Sequence, residues 1–270
     1  MSNQNESKEV WASGDSYEPY VGRWSRLVAK EFIGWLSLPE NSQWLDIGCG
    51  TGALSQAILE MADPNKVKGI DRSESYVEFA HKRVNDPRAE FEVGNAQALP
   101  VESETFDAAV SGLVLNFVPQ PDRMITEMTR VVRNGGMIAL YVWDYAGKMQ
   151  MMRHFWNAAI ALDPSARDLD EGKRFPICNS DSLRNLFQNT GLFQVEVRAI
   201  DISTDFKDFD DYWSPFLGGQ GPAPGYVMSL SEEQRARLRQ RIYNSLPFAL
   251  DGSIPLTARA GRSEESNRFS

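Results

Sequence analysis

The residues best suited to chemistry lie between positions 46 and 71. Asp46 is followed at alternate positions by Gly48, Gly50 and Gly52. Glycine can adopt positive φ and lets the main chain approach a ligand closely, and a helix that starts after such a turn offers unpaired N–H groups. Asp71 follows about 20 residues later, where an acid at the end of a second strand can accept from ribose hydroxyls. This spacing predicts a nucleoside-type ligand at a first β-to-α turn.

The glycines and Asp71 leave several interpretations open. Gly48 to Ala53 also fits the dinucleotide fingerprint G-x-G-x-x-A, which would make the chain an NAD(P)-dependent oxidoreductase. A tight structural turn without any ligand is the third interpretation, because such a turn also needs glycine.

Residues 43–143 resemble the class I S-adenosylmethionine (SAM)-dependent methyltransferases. Asp46 to Gly52 matches their first motif, E/D-x-G-x-G-x-G, without a gap. The later motifs follow in the family's order, and the resemblance is to the small-molecule group called type 11, which includes methyltransferases of ubiquinone and menaquinone biosynthesis. The segments that resemble those later motifs are 69–73, 94–96, 106–111 and 130–136.

The resemblance implies SAM as the cofactor and a role for each matching residue. Asp46 would set the glycine loop and reach the SAM amino group, whereas a nearby pyrophosphate would be repelled by its carboxylate. Asp71 would accept from both ribose hydroxyls, and Asn95, where the family usually has Asp, would read the adenine edge. Arg23 would bind the SAM carboxylate or form a surface ion pair. The other positions assigned to the SAM site are Gly48, Cys49, Gly50, Gly52, Arg72, Ala96, Ser111 and Leu113.

No general base stands out in the sequence. Many relatives have Leu-His-His after the fourth strand, but this chain has Leu115-Asn116-Phe117. His154 and Tyr20 are the candidates for a catalytic role. A methyl group on a sulfonium is already activated, so the protein mainly supplies proximity and orientation. A SAM-binding protein without catalytic activity therefore stays open as an alternative.

The elements that must position these residues alternate between strand and helix patterns. Such alternation indicates a mainly parallel sheet. We predict an α/β, Rossmann-like, doubly wound fold with a mostly parallel seven-stranded sheet, helices on both faces and a helical cap formed by insertions. The predicted strands are 43–47, 66–70, 89–93, 106–111, 137–143, 193–202 and 253–260, and the main helices are 21–36, 53–61, 73–84, 121–132 and 231–244.

The domain organisation follows from composition. Residues 1–15 are predicted to be disordered, 16–260 to form a single methyltransferase domain, and 261–270 to be a polar tail. Aromatic residues concentrate in the insertions, where they would line an acceptor pocket or form a small separate core. The Gly/Pro-rich segment 218–225 is interpreted as a lid or a connector. The predicted cap elements are 16–38, 146–180 and 207–251.

Composition narrows the function classes. The net charge of −9 and the pI of about 4.9 disfavour a nucleic-acid partner. The two cysteines are far apart and no His cluster accompanies them, so we expect no metal. No apolar run suggests a signal peptide or a membrane span, which predicts a cytoplasmic protein. We expect a small-molecule acceptor as the partner; the sequence does not indicate an oligomeric state.

Overall fold

The computed structural model describes residues 22–192, 194–218 and 221–266, which form a seven-stranded sheet in the order β3-β2-β1-β4-β5-β7-β6. Strands β1 to β5 are parallel, and β7 is antiparallel to both β5 and β6. The predicted fold class is confirmed. The strands are β1 Gln43–Ile47, β2 Lys66–Asp71, β3 Ala89–Val93, β4 Phe106–Gly112, β5 Val132–Trp143, β6 Glu196–Ser203 and β7 Thr257–Ser266.

Helices cover both faces of the sheet because successive strand residues are buried on opposite sides. In β1, Trp44 belongs to one hydrophobic cluster and Leu45 to the other; in β5, Tyr141 and Leu140 divide in the same way. Helices α1, α2 and α3 supply the first cluster, and α4 and α7 supply the second. The bounds are α1 Arg23–Trp35, α2 Ala53–Met61, α3 Glu74–Arg83, α4 Pro121–Val131 and α7 Ser180–Asn189.

The remaining helices form a cap from the insertions that follow β5 and β6. Its interior is aromatic: the rings of Phe155 and Phe216 stack with centroids 4.6 Å apart, and the Tyr212 hydroxyl donates to the Met151 carbonyl at 2.8 Å. These three rings have no exposed surface and belong to the same hydrophobic cluster as α1, α2 and α3. They therefore extend the first cluster into the cap and do not line an open pocket. The cap helices are α5 Gln150–Leu162, α6 Glu171–Arg174, α8 Phe209–Trp213, α9 Pro222–Ser229 and α10 Glu232–Ser245.

The end of the sheet differs from the sequence prediction. Residues 261–266, predicted to lie in a polar tail, belong to β7, where Ser263 is fully buried. The apolar residues Ile254 and Leu256, predicted to lie in the last strand, precede β7 and bond to the segment after β6 instead. The prediction failed because β7 lies between two strands: its backbone is paired on both edges, so small and polar side chains suffice there.

Two other elements begin at residues that differ from the sequence prediction. Strand β5 begins at Val132, so the glycines predicted to end α4 lie within the strand, where the pairing with β4 is irregular. Helix α9 begins at Pro222, inside the segment predicted as a loop from 218 to 225. Proline at the first helical position loses no hydrogen bond and has a suitable φ, which explains why a Pro-rich stretch starts a helix.

Candidate cofactor and acceptor site

The glycine loop between β1 and α2 depends on three left-handed residues. Gly48, Gly50 and Gly52 have φ of +73°, +51° and +82°. A Cβ on Gly48 would lie 2.4 Å from a methyl group of Val114, and one on Gly52 would lie 2.8 Å from Val84. Among the described residues, a Cβ on Gly50 would meet nothing nearer than 4.0 Å. Packing therefore fixes two of the glycines, and the third leaves open space beside the main chain for a ligand.

Asp71, at the end of β2, holds this loop in place. Its Oδ2 accepts from the Gly50 N–H at 3.0 Å, and its Oδ1 accepts from the Ser73 N–H at 2.9 Å. Burial raises the pKa of Asp71, and these bonds and the neighbouring Arg72 oppose that rise. Each carboxylate oxygen retains a further lone pair, so Asp71 can still accept from two ribose hydroxyls. Arg72 itself is exposed.

Asp46 lies beneath the same loop and is 1% exposed. Its Oδ2 accepts from the Ser55 hydroxyl at 2.7 Å, whereas Oδ1 has no hydrogen-bond partner among the described residues. Burial raises the pKa of Asp46 to about 7, assisted by the nearby charge of Asp71. A buried carboxylate oxygen without a donor is costly, so this atom suits a bound ammonium group or a water that reaches one.

These residues fit SAM and disfavour a dinucleotide. The open space at Gly50 adjoins Asp71, and Gly50 belongs to the loop that directly follows Asp46 on β1. Two acidic side chains around one loop repel a pyrophosphate and attract the ammonium of the SAM amino acid. Cys49 lies in the loop as a buried thiol, and its N–H donates to the Ile70 carbonyl at 3.1 Å.

The turn after β3 lies beside Asp71, because the Gly94 N–H donates to the Asp71 carbonyl at 2.9 Å. Within it the Asn95 side-chain oxygen accepts from the Gln97 N–H at 2.9 Å. That bond uses the carbonyl side of the amide and leaves the amide nitrogen as the donor for an adenine edge. Ala96 is half-buried against the second hydrophobic cluster.

The two sequence candidates at the end of β4 have different surroundings. Ser111 is 1% exposed, and its hydroxyl donates to the Ile47 carbonyl at 2.7 Å, which ties β4 to β1. Leu113 has φ of +63°, unusual for a branched residue, and its N–H donates to the Tyr141 carbonyl at 2.8 Å. Strained residues concentrate at functional sites, and Leu113 lies where β4 reaches the edge that carries the glycine loop.

The other candidates are held by the cap or lie outside the described residues. Arg23 bonds to Asp211 at 2.9 Å, so the ion pair weighed for it is present, while its Nε and Nη2 are buried without partners in the described ranges. The His154 ring is 3.3 Å from the Ser245 hydroxyl at the end of α10, and burial lowers its pKa. Tyr20 precedes the described residues.

Sequence reasoning gave no role to Asn116 and Phe117 after β4, and it counted Tyr145, after β5, only among the aromatic residues that could line an acceptor pocket. Asn116 and Phe117 follow Val114, whose side chain contacts the glycine loop. The Asn116 Nδ2 is buried and has no partner in the part of the chain that the structure describes. Phe117 and Tyr145 both contact Phe175, with ring centroids 5.3 and 5.8 Å apart. Their positions just after neighbouring strands were the available signal, since the carboxyl ends of parallel strands share one edge.

The described ranges contain no helix that is long and apolar enough to cross a membrane. Over the same ranges no three His, Cys, Asp or Glu side chains are grouped to hold a metal ion.

Known proteins share both the sequence pattern and the fold. The model of the methyltransferase domain family matches residues 45–140. The demethylmenaquinone methyltransferase of Lysinibacillus sphaericus is 35% identical over 194 residues, which cover 62% of this chain and 80% of that protein. The trans-aconitate 2-methyltransferase of Variovorax paradoxus is 26% identical over 163 residues, covering 60% of this chain and 58% of that protein.

A solved structure with similar architecture holds the cofactor that the site suits. Phosphoethanolamine N-methyltransferase 2 of Haemonchus contortus, in complex with SAM, has a TM-score of 0.59 and 15% identity, covering 94% of this chain and 56% of that one. The matched domain and the 35% identical relative identify the chain as a SAM-dependent methyltransferase, and the sheet has the class I architecture. The chain belongs to the methyltransferase-domain family of the type 11 group. The predicted family, enzyme class and cofactor are confirmed.

Proposed function

We propose that this enzyme transfers the SAM methyl group by in-line displacement to a small molecule that is apolar or aromatic in part. The observation that carries the proposal is the open space at Gly50, beside Asp71 and in the loop that follows Asp46, whose Oδ1 has no partner among the described residues. The names of the two curated relatives, which act on a demethylmenaquinone and on trans-aconitate, support a small acceptor. The net charge of −9 supports the same class over nucleic acid.

SAM supplies a methyl group on a sulfonium: an acceptor lone pair bonds to the methyl carbon as the C–S bond breaks, and the bonding pair leaves with sulfur. The protein's part is to bind, orient and exclude water. Asp46 would hold the ammonium group, Asp71 the ribose hydroxyls and Asn95 the adenine edge. Cys49, Gly52, Arg72, Ala96, Ser111 and Leu113 would shape the same site.

The acceptor would need little help from a base. Asn116 stands where many relatives have His, and an amide cannot take a proton at neutral pH. His154 contacts the end of α10 and has a lowered pKa. This pattern favours an acceptor that loses its proton readily, such as a carboxylic acid, a thiol or an activated enol. Tyr20 and Arg23 stay candidates for the acceptor side and the SAM carboxylate.

Calorimetry tests the cofactor site. Titration of the purified protein should show micromolar SAM binding and no NADH binding, and Asp71→Ala should abolish the SAM signal. The matched control, Asp201→Ala, removes a carboxylate of β6 that pairs with Arg259 of β7, and this variant should bind SAM normally. NADH binding in place of SAM binding would overturn the proposal.

Two further parts of the proposal concern activity and location. SAM binding without release of S-adenosylhomocysteine in the presence of any acceptor would favour the non-catalytic SAM-binding alternative.

We also propose that the enzyme is cytoplasmic, and the two cysteines, both of which are free, support this location.

A further inference from the structure

The second half of helix α10 and the turn that follows it expose basic and apolar side chains together. We propose that they bind the enzyme to the surface of a membrane that contains anionic phospholipids. We call this part of the cap the docking surface, and it consists of Arg237, Arg241, Tyr243, Phe248 and Leu250. The inference goes beyond the proposed function, because it involves none of the residues assigned to the cofactor site.

The charge of this segment is opposite to that of the whole chain. Residues 235–250 contain four arginines and no acid, whereas the net charge of the chain is −9. Arg239 is neutralised by Asp210, at 3.0 Å. Arg237 and Arg241 are exposed, and neither forms an ion pair with a described residue. Two unpaired arginines one helical turn apart are therefore available to anionic headgroups, each of which attracts such a side chain at the membrane surface.

The apolar part of the docking surface is a cluster and not a scatter of single residues. The exposed fraction is 45% for Tyr243 and 36% for Phe248, and their ring centroids are 4.7 Å apart. The Tyr243 ring also packs against Phe209 at 5.0 Å, which anchors the pair to α8. Leu250, two residues further on, is fully exposed. Exposed apolar clusters rimmed by polar residues mark interaction sites.

Leu250 is presented by a hydrogen-bonded turn. The Ala249 carbonyl accepts from the Gly252 N–H at 3.0 Å, and the Ala249 N–H donates to the Ser253 carbonyl at 2.8 Å. The carboxylate of Asp251 accepts from the Ser253 N–H and hydroxyl, so it too is held within the turn. Turn positions favour Gly, Pro, Asn, Asp and Ser. Local conformation therefore gives no reason for a leucine at this tip, whereas insertion into a lipid surface does.

The exposed side of α10 suits a helix that lies flat on a membrane. Leu238 and Ile242 are buried against the protein. The helical period places Ala236, Gln240 and Asn244, all exposed and uncharged, in a row on the opposite side. The two arginines of the docking surface lie to one side of this row and its tyrosine to the other. In that orientation the arginine stems can lie along the apolar boundary while their guanidinium groups reach the headgroups.

A lipid surface fits these features better than a second copy of the chain. A symmetric dimer through this surface would bring the same patch of both copies together, so the unpaired arginines would face each other and repel. A protein partner would also need a pocket shaped for the protruding Leu250, whereas a bilayer accepts a protruding apolar side chain without one. We therefore assign the docking surface to anionic lipid.

Vesicle flotation tests this assignment on the full-length protein. The two probes are vesicles of phosphatidylcholine alone and vesicles of an equal mixture of phosphatidylcholine and phosphatidylglycerol. We expect binding to the anionic vesicles to be at least about 10-fold tighter and to weaken at high salt, because salt screens exposed charges.

Two variants separate the apolar and the basic contributions. Leu250→Asn keeps a residue that turns favour and should weaken binding about 10-fold, since no leucine side chain enters the bilayer. The double variant Arg237→Gln/Arg241→Gln should weaken it about 10–30-fold.

Each variant has a control with the same chemical change elsewhere on the surface. Met61→Asn removes another exposed apolar side chain, and Arg123→Gln/Arg167→Gln removes two other exposed arginines. Both controls should bind the anionic vesicles like the unmodified protein. SAM titration of every variant should give the unmodified affinity, which separates this test from that of the proposed function.

Three results would overturn the assignment. The first is equal binding to the two kinds of vesicle, or to neither. The second is equal loss of binding in the variants and their controls. The third is a dimer, detected by sedimentation of the unmodified protein, that Leu250→Asn dissociates, because the docking surface would then bind a second copy of the chain.

Discussion

The glycine loop and the cap use opposite means to hold their shape. At the loop, left-handed glycines are held by hydrogen bonds to the Ile70 carbonyl and the Asp71 carboxylate, and these contacts join the loop after β1 to β2. In the cap, side chains from α5, α8 and the turn at 214–218 pack ring against ring. The cofactor side is therefore intolerant of small changes in backbone, whereas the cap is held by buried volume and should tolerate changes that keep it.

Gly48→Ala should have the largest effect on SAM affinity. The new Cβ would need a left-handed conformation and would collide with Val114, so we expect SAM to bind at least about 100-fold more weakly and the protein to lose about 3 kcal/mol of stability. Calorimetry and denaturant unfolding measure both. Gly191→Ala is the matched control, because Gly191 has φ of +90° and an added Cβ would meet no described residue within 4 Å. If the Gly48→Ala protein binds SAM with normal affinity, the glycine loop is not intolerant of backbone changes.

Asp71→Asn should have the next largest effect. The amide keeps the size of the side chain but replaces one acceptor oxygen by a donor that opposes the Gly50 or Ser73 N–H. We expect SAM affinity to fall about 10–100-fold, the range for bonds to a charged group. Asp201→Asn provides the control in isothermal calorimetry. If both variants bind SAM alike, Asp71 has no special role.

The glycine loop and the cap each contain one buried acid, and both acids should make the stability of the protein depend on pH. Burial raises the pKa of both Asp46 and Glu171 to about 7. In the unfolded chain both carboxyl groups titrate near pH 4, so the folded state holds these protons more tightly than the unfolded state does. The contribution of each group to the free energy of unfolding is therefore fully present below pH 4 and is lost as the pH rises through about 7. Unfolding measured at pH 5 and 8 should show this loss, and Asp46→Asn or Glu171→Gln should each reduce it.

Only Asp46 should also affect cofactor binding. Its ionised form attracts the SAM ammonium, so SAM affinity should increase about 10-fold from pH 6 to 8, as the carboxyl ionises. Asp46→Asn should remove this pH dependence, and Glu171→Gln should retain it. If the SAM affinity of the unmodified protein does not change with pH, Asp46 does not bind the SAM ammonium group.

The smallest effect on SAM affinity is expected for Phe155→Leu. The substitution leaves a void in the cap and should cost about 1–2 kcal/mol of stability, but SAM affinity should change by less than about 2-fold. Thermal unfolding and calorimetry on the same sample test both. A large loss of SAM affinity would show that the cap and the loop are coupled.

Sequence reasoning worked best where local chemistry decides the structure. Strands β1 and β3 and helix α2 have the predicted bounds, because buried runs and the glycine turn leave little choice. Asp46 and Asp71 lie together at the loop, in the arrangement that the motif implies. Whether each residue contacts SAM stays a prediction.

Long-range contacts were beyond the sequence pattern. No local signal shows that Phe175 would lie against Phe117 and Tyr145, which are distant in the chain. The polar residues of β7 looked like a tail because strand patterns rest on side-chain hydrophobicity, whereas pairing on both edges satisfies the backbone of any sequence. Arg23 similarly had two plausible partners, and only the position of α8 reveals Asp211.

Strand β7 also has a kinetic consequence. It lies between β5 and β6, although it follows both in the chain. Trp143 of β5 pairs with Ala260 of β7, and the cap segments lie between these two residues in the sequence. Until β7 is inserted, β6 has no neighbour on that side and β5 has an open edge, the kind of edge that invites pairing between molecules. Closure of the sheet over so long a loop is slow. We therefore expect the half-finished sheet to be the species most prone to aggregate during refolding, with the cofactor loop already formed.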